Sequence, residues 1–178
     1  MTDRELVLSC LQGQLESYAE LMARYGLYAM TVAFNILLNR EDAEDVCQDA
    51  FLKVYQNLEK FDTQQSFKNW FYALLCNLCL DRLRKKRRSQ DLLARYFREA
   101  QAESFTLPGP SALEAGLDLG RLRRLAPKER LAVYLWSQEG YSGAEIASVL
   151  GCSRRTAYIH LFRARQKLKA GMRENRYG

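Results

Sequence analysis

The sequence predicts an all-α fold: two small helical domains joined by a flexible linker, the second containing a helix-turn-helix. Three observations carry this. Apolar residues recur at three- and four-residue spacing along most of the 178 residues, and no stretch alternates as a strand would. A segment with Pro108, Gly109, Pro110 and Gly116 carries only acidic charge after Arg98, which marks a linker over 89–120 between domains at 1–88 and 121–178. Tyr141 to Arg165 reads as two capped helices around a glycine turn.

The first helices span Asp3 to about Asn39. Leu6, Leu8 and Leu11 begin the apolar pattern, and Tyr18, Leu21, Met22, Tyr25, Ala29 and Val32 continue it, with Gly26 as the weak point. A third helix runs from Glu41 to Leu58. Ala43, Val46, Cys47, Ala50, Phe51 and Val54 form its core face, and Asp42, Glu44, Asp45, Gln48 and Asp49 lie largely on the others. Phe61 to Ser66 is a short polar loop, with Ser66 placed to cap the next helix. That helix, Phe67 to about Arg88, begins aromatic with Phe67, Trp70 and Phe71. It ends in Arg82, Arg84, Lys85, Lys86, Arg87 and Arg88. A helix C-terminus favours some positive charge, but six cations in seven residues exceed that need and point to phosphate contact.

Pro127 opens a helix through about Gln138. Ser142 then caps a helix with Glu145 as its partner, Gly151 stops it, and Ser153 caps the last helix. Ala157, Leu161 and Ala164 point inward. Arg154, Arg155, Thr156, Tyr158, Ile159, Phe162 and Arg163 are left outside. A second helix with basic, hydroxylic and aromatic residues suits the DNA major groove, where base edges and phosphates must both be met.

The net charge of +6 is unevenly spread. Residues 1–62 carry −6, 63–98 carry +7, 99–120 carry −4 and 121–178 carry +9. Two basic blocks imply two nucleic-acid contacts, and the acidic first third implies a basic protein partner. No signal peptide or membrane span is expected, and the cysteines, odd in number at five, fit a reducing cytoplasm.

The order of these pieces resembles the extracytoplasmic-function (ECF) group of bacterial RNA polymerase sigma factors. Asp42 to Tyr55 is similar to the family's helix that docks on core polymerase, Phe67 to Arg84 to its promoter-melting helix, and Leu125 to Leu168 to its second DNA-binding domain. The resemblance implies a transcription-initiation subunit without enzymatic activity. Its first domain would bind the polymerase clamp through Asp42, Glu44, Asp45, Gln48 and Asp49, where charge complementarity explains the acidic face.

The same resemblance implies a −10 pocket for an unstacked base, formed by Phe61, Asp62, Thr63, Gln64, Gln65 and Ser66 with Lys53 and Asn77 beside it. Arg82 to Arg88 would hold phosphates nearby. The second domain would place Arg154, Arg155, Thr156, Tyr158, Ile159, Phe162 and Arg163 at the −35 major groove. Tyr158, Ile159 and His160 depart from residues common in the family. Tyrosine and isoleucine can meet thymine methyls but do not read guanine as arginine does. Cys76 and Cys79 replace commoner arginine and alanine. An anti-sigma partner is a further family expectation.

Three other readings fit less of the chain. Cys76 and Cys79 have the C-x-x-C spacing of a metal or redox site, but they lie in an apolar helix with no second pair and one histidine in the whole chain, so no metal or cofactor is expected. A simple helix-turn-helix repressor or activator explains 121–178 and leaves the acidic helix and the aromatic-then-basic helix without a role. A phosphate-binding glycine loop and a Ser/His/Asp set are both lacking, which argues against an enzyme with a small-molecule substrate.

Overall fold

The computed structural model describes residues 1–99 and 119–174. Eight α-helices appear among them: α1 (Asp3–Leu11), α2 (Leu15–Leu37), α3 (Arg40–Asn57), α4 (Phe67–Glu99), α5 (Leu119–Arg123), α6 (Pro127–Ser137), α7 (Gly143–Leu150) and α8 (Arg154–Glu174), with a 3-10 turn over Leu58–Lys60. The described residues contain no strand.

Local chemistry sets most boundaries. Thr2 and Glu5 close α1 with a reciprocal capping box, at 3.3 and 2.7 Å. The break before α2 falls at Gly13, where φ is +87°, and α2 runs unbroken through Gly26. Leu38 ends α2 in the left-handed region at φ +52°, and the Asn39 side chain then accepts from the Asp42 amide at 2.8 Å to start α3. Ser66 caps α4 through the Asn69 amide. Helix α4 continues through Glu99, well past Arg88, so the basic run lies inside a helix rather than at its end. The rest of the expected linker, 100–118, lies outside the described residues.

In the first half, α2, α3 and α4 pack together. Leu21, Ala29 and Val32 of α2 and Ala43, Ala50 and Val54 of α3 are all buried where these helices pack, and the Phe71 ring stacks 5.1 Å from Phe51. Burying a side chain such as Phe71 or Leu75 stabilises the fold by about 1.5–3 kcal/mol. In the second half, Leu131, Leu135, Ile146, Leu150 and Ala157 fill the space between α6, α7 and α8. The two halves are not separate bodies. Helix α2 packs on α6 and α4 on α7, and one apolar core runs through both.

Cys76 and Cys79 are buried in that core, and burial pushes the Cys79 thiol up to about 12. Both therefore behave as small apolar side chains. Among the described residues, no group of three or more metal-ligating side chains comes together, and no helix is long and apolar enough to cross a membrane.

Candidate nucleic-acid interface

The first candidate surface lies where α3 and α4 pack. The core face of α3 turns Val46, Ala50 and Val54 inward, so Glu44, Asp45, Gln48 and Asp49 must stand outside, and all four are exposed. Leu52 and Tyr55 share this face and are 56% and 51% exposed. Sequence reasoning missed them, though the spacing of four from Gln48 to Leu52 and three from Leu52 to Tyr55 was legible. An acidic face with an apolar centre suits a protein partner.

Asp42 departs from this pattern. Its carboxylate turns toward α4, where it accepts from Arg82 Nε at 2.8 Å and Lys86 Nζ at 2.9 Å. Arg82 also donates to Asp45 at 2.8 Å. Burial alone would raise the Asp42 carboxyl, but the two cations outweigh it and hold it below the usual carboxylate range. Residues expected at two different partners are therefore bonded to each other.

Beside this pair a groove of about 310 Å³ runs between α3 and α4. Lys53, Arg82, Arg84, Lys85 and Arg88 line it, with Asp49 and Asp81 at its wall and Val46 and Leu78 at its floor. Lys53 thus joins the basic run of α4, a combination suited to a nucleic-acid backbone. Arg84 is paired with Asp81 at 2.6 Å, and Arg87 lies 4.0 Å from Asp91. Both pairs are largely exposed and weak enough for phosphate to displace.

The loop is built by Asp62. Its carboxylate accepts from the Gln64 amide at 2.9 Å and the Gln65 side chain at 3.2 Å. Gln64, Gln65 and Ser66 are exposed and Thr63 is half-buried. Phe61 faces inward, 7% exposed, with its ring 5.7 Å from Phe67 and 4.8 Å from the half-buried Trp70. Asn77 is exposed one turn before Asp81 on α4.

The second surface is the helix-turn-helix. Ser142 and Glu145 form the expected box at 3.3 and 2.8 Å, Gly151 takes φ +58°, and Ser153 accepts from the Thr156 amide at 3.1 Å. Ala157 and Ala164 are fully buried, which turns Arg154, Arg155, Ile159, Phe162 and Arg163 outward. Thr156 is half-buried, and its hydroxyl bonds to Ser153 at 2.9 Å. Tyr158 folds back over the start of α7: a Cβ on Gly143 would lie 2.7 Å from its Cζ. Arg154 reaches the same ring, its guanidinium carbon 5.8 Å from the centroid. Tyr158 and Phe162 also border a groove with Trp136 and Arg165, whose guanidinium sits 4.6 Å from the Trp136 ring centroid.

Comparison with known proteins covers both surfaces. Residues 21–89 match the family Sigma-70 region 2, and residues 119–168 match Sigma-70, region 4. The chain is 26% identical over 176 residues to the ECF RNA polymerase sigma factor SigW of Bacillus subtilis, covering 92% of each. It is 30% identical over 175 residues to the RNA polymerase sigma factor NccH of Alcaligenes xylosoxydans xylosoxydans, covering 94% of this chain and 93% of that one. The solved structure of CnrH in complex with the cytosolic domain of CnrY superposes with a TM-score of 0.65 at 27% identity, over 97% of both chains. The sigma factor RpoE of Bartonella quintana, in complex with the anti-sigma factor NepR, shares the fold with a TM-score of 0.68 at 22% identity, over 89% of this chain and 98% of that one.

Proposed function

The chain belongs to the ECF RNA polymerase sigma factors, and we propose on that footing which of its surfaces does what. As a sigma factor it binds core RNA polymerase and promoter DNA and directs initiation at specific promoters. Residues 1–88 form the domain that docks on polymerase and opens the −10 element. Residues 121–178 form the domain that reads the −35 element, and 89–120 join them. The phosphoryl chemistry belongs to the polymerase, so this chain supplies binding energy and no catalytic group. Its place of work is the cytoplasm.

The polymerase clamp meets the exposed face of α3. Glu44, Asp45, Gln48 and Asp49 supply charge complementarity, and Leu52 and Tyr55 supply the apolar anchor. Asp42 stands behind that face and orients Arg82 and Lys86. Lys53, Arg82, Arg84, Lys85, Lys86, Arg87 and Arg88 hold the DNA backbone along α4 and its groove with α3. The loop Phe61–Ser66 and Asn77 receive an unstacked base: Asn77 offers a donor and an acceptor to its edge, and Phe61 forms the apolar wall below. Arg154, Arg155, Ile159, Phe162 and Arg163 enter the −35 major groove, with Thr156 at the cap and Tyr158 at its edge.

The observation that carries this reading is the coexistence, on one chain, of the acidic α3 face, the basic α4 groove and the capped helix-turn-helix. A simple repressor needs only the last. An anti-sigma protein is a second partner, supported by the two similar structures whose sigma factors are bound to such partners or to a partner's cytosolic domain.

The test is in vitro transcription with core RNA polymerase on a pool of promoter fragments, sequencing the starts. Starts that require this protein and share two spaced elements support the reading. DNA binding without polymerase binding or any dependent start would return the chain to the repressor class.

A further inference from the structure

We propose that α8 reads its DNA element chiefly through the 5-methyl groups of two thymines, met by Ile159 and Phe162, with Arg155 taking a guanine beside them. The inference deepens the assignment of this helix to the −35 major groove and rests on it. Ala157 and Ala164 are fully buried, so the opposite side of α8 faces away from the domain. Arg155, Ile159, Phe162 and Gln166 recur on that side at spacings of four, three and four, and all four are exposed. Ile159 is 40% exposed and Phe162 63%. Two apolar side chains thus stand in the middle of the stripe that meets DNA.

The polar neighbours of this pair are engaged elsewhere. The Thr156 hydroxyl bonds to Ser153 at 2.9 Å. Tyr158 is turned aside over the start of α7. Gly143 leaves the space that its ring fills, since a Cβ there would lie 2.7 Å from Cζ and 2.9 Å from the hydroxyl oxygen. The Arg154 guanidinium covers the same ring. Arg154 and Arg163 lie at the two edges of the stripe, where cations suit phosphates. Between Arg155 and Gln166 the stripe therefore holds no side chain that hydrogen-bonds a base edge.

The chemistry of the major groove then selects the base. Of the four bases, only thymine presents a methyl group there. Covering that methyl with isoleucine or phenylalanine removes apolar surface from water on both sides. Against cytosine the same side chains would dehydrate an amino group without replacing its hydrogen bond, which is costly. Arg155 carries the fork that fits N7 and O6 of guanine. The seven residues from Arg155 to Phe162 rise about 10 Å, or roughly three base steps. The guanine and both methyls therefore fall within about four consecutive base pairs. The basic edges alone would equally suit an acidic protein; the capped helix-turn-helix, which presents the first turns of α8, favours duplex DNA.

The test is made on the DNA. The full chain, bound to core RNA polymerase and also alone, selects duplexes from a library with a randomised −35 segment. Each thymine of the selected element is then replaced singly by deoxyuridine, which removes the methyl group and keeps the base pair. Two of these replacements should each weaken binding about four-fold, and replacements in the spacer should leave it unchanged. Ile159→Ala should abolish the loss at one of the two thymines and Phe162→Ala at the other, while Arg155→Ala should relax the guanine and keep both methyl effects. The uracil series needs no variant, so it stands even if an alanine variant melts early. Fewer than two sensitive thymines, or losses that persist in both Ile159→Ala and Phe162→Ala, would overturn the proposal. If the polymerase complex directs starts from an element indifferent to uracil, the methyl reading fails and the sigma reading stands. If the chain alone selects a methyl-sensitive element but neither binds core enzyme nor directs a start, the sigma reading fails and the methyl reading stands.

Discussion

Arg82 donates through Nε to Asp42 at 2.8 Å, tying the basic helix α4 to the acidic helix α3. Lys86 bonds to the other oxygen of the same carboxylate. Asp42 thus neutralises part of the basic run while holding two of its members in place. Asp42→Asn should free both cations. Non-specific DNA affinity should rise, and the slope of log affinity against log salt should steepen by about 1–2. The ion pairs are partly exposed, so the stability loss should stay near 1 kcal/mol or below. Fluorescence anisotropy across a salt series checks the slope. A flatter slope than wild type would show that Asp42 does not neutralise these cations.

Leu52 and Tyr55 lie among the acidic residues of α3 with about half of each side chain open to solvent. Such residues add little to folding but can anchor a partner. Leu52→Ala and Tyr55→Ala should each weaken core polymerase binding by about 1–3 kcal/mol. The Tyr55 ring packs 5.1 Å from Tyr18, so Leu52→Ala is the cleaner variant. Competition for core enzyme against a labelled sigma factor measures this, with thermal melting as control. Unchanged competition by both variants would move the docking face elsewhere.

Gly143 and Tyr158 constrain each other. A methyl group at 143 would lie 2.7 Å from Tyr158 Cζ, which belongs to a side-chain end that can swing away. Gly143→Ala should therefore displace the ring and alter −35 preference more than stability. Alanine's helix preference, about 0.8–1 kcal/mol over glycine, offsets part of the strain. Selection from a randomised −35 library reads the change. The double variant Gly143→Ala with Tyr158→Ala should match Tyr158→Ala alone. A double variant that behaves otherwise would show that the ring is not the link.

Features set within about two helical turns of chain were legible from sequence. The box at Ser142, the cap at Ser153, the left-handed Gly151 and the inward Ala157 and Ala164 all depend on residues within seven positions of each other. Gly26, the weak point of the pattern, does not stop α2, because glycine weakens a helix without ending it and burial of Tyr25 and Ala29 offsets its cost. Gly13 breaks the chain by adopting positive φ. Asp42 with Arg82, and Arg130 with Ile36, are 40 and 94 positions apart. No periodicity announces such pairs, and helical spacing places Asp42 among the outward residues of α3 without showing that its carboxylate turns to Arg82 and Lys86.

Glu129 and His160 make the second domain sensitive to acid. Burial favours the neutral Glu129 carboxyl, but Lys167 at 2.7 Å and the Ala126 amide at 2.8 Å outweigh it, so its folded pKa falls below the ordinary 4.5. His160 falls below its ordinary 6.5 chiefly through burial, aided by Lys128. In both cases the unfolded state takes up its proton first as pH drops. Each contribution is therefore complete above the unfolded value and is lost as pH falls through the folded one. The melting temperature should begin to decline just below pH 6.5 and decline further below 4.5. His160→Gln should remove the upper step and leave the lower. Glu129→Gln should remove its part of the lower step and cost about 1 kcal/mol or less at neutral pH, because the lost ion pair is to Lys167, which is largely exposed. Differential scanning fluorimetry from pH 4 to 8 tests the order, and an upper step that persists in His160→Gln would assign it to another group.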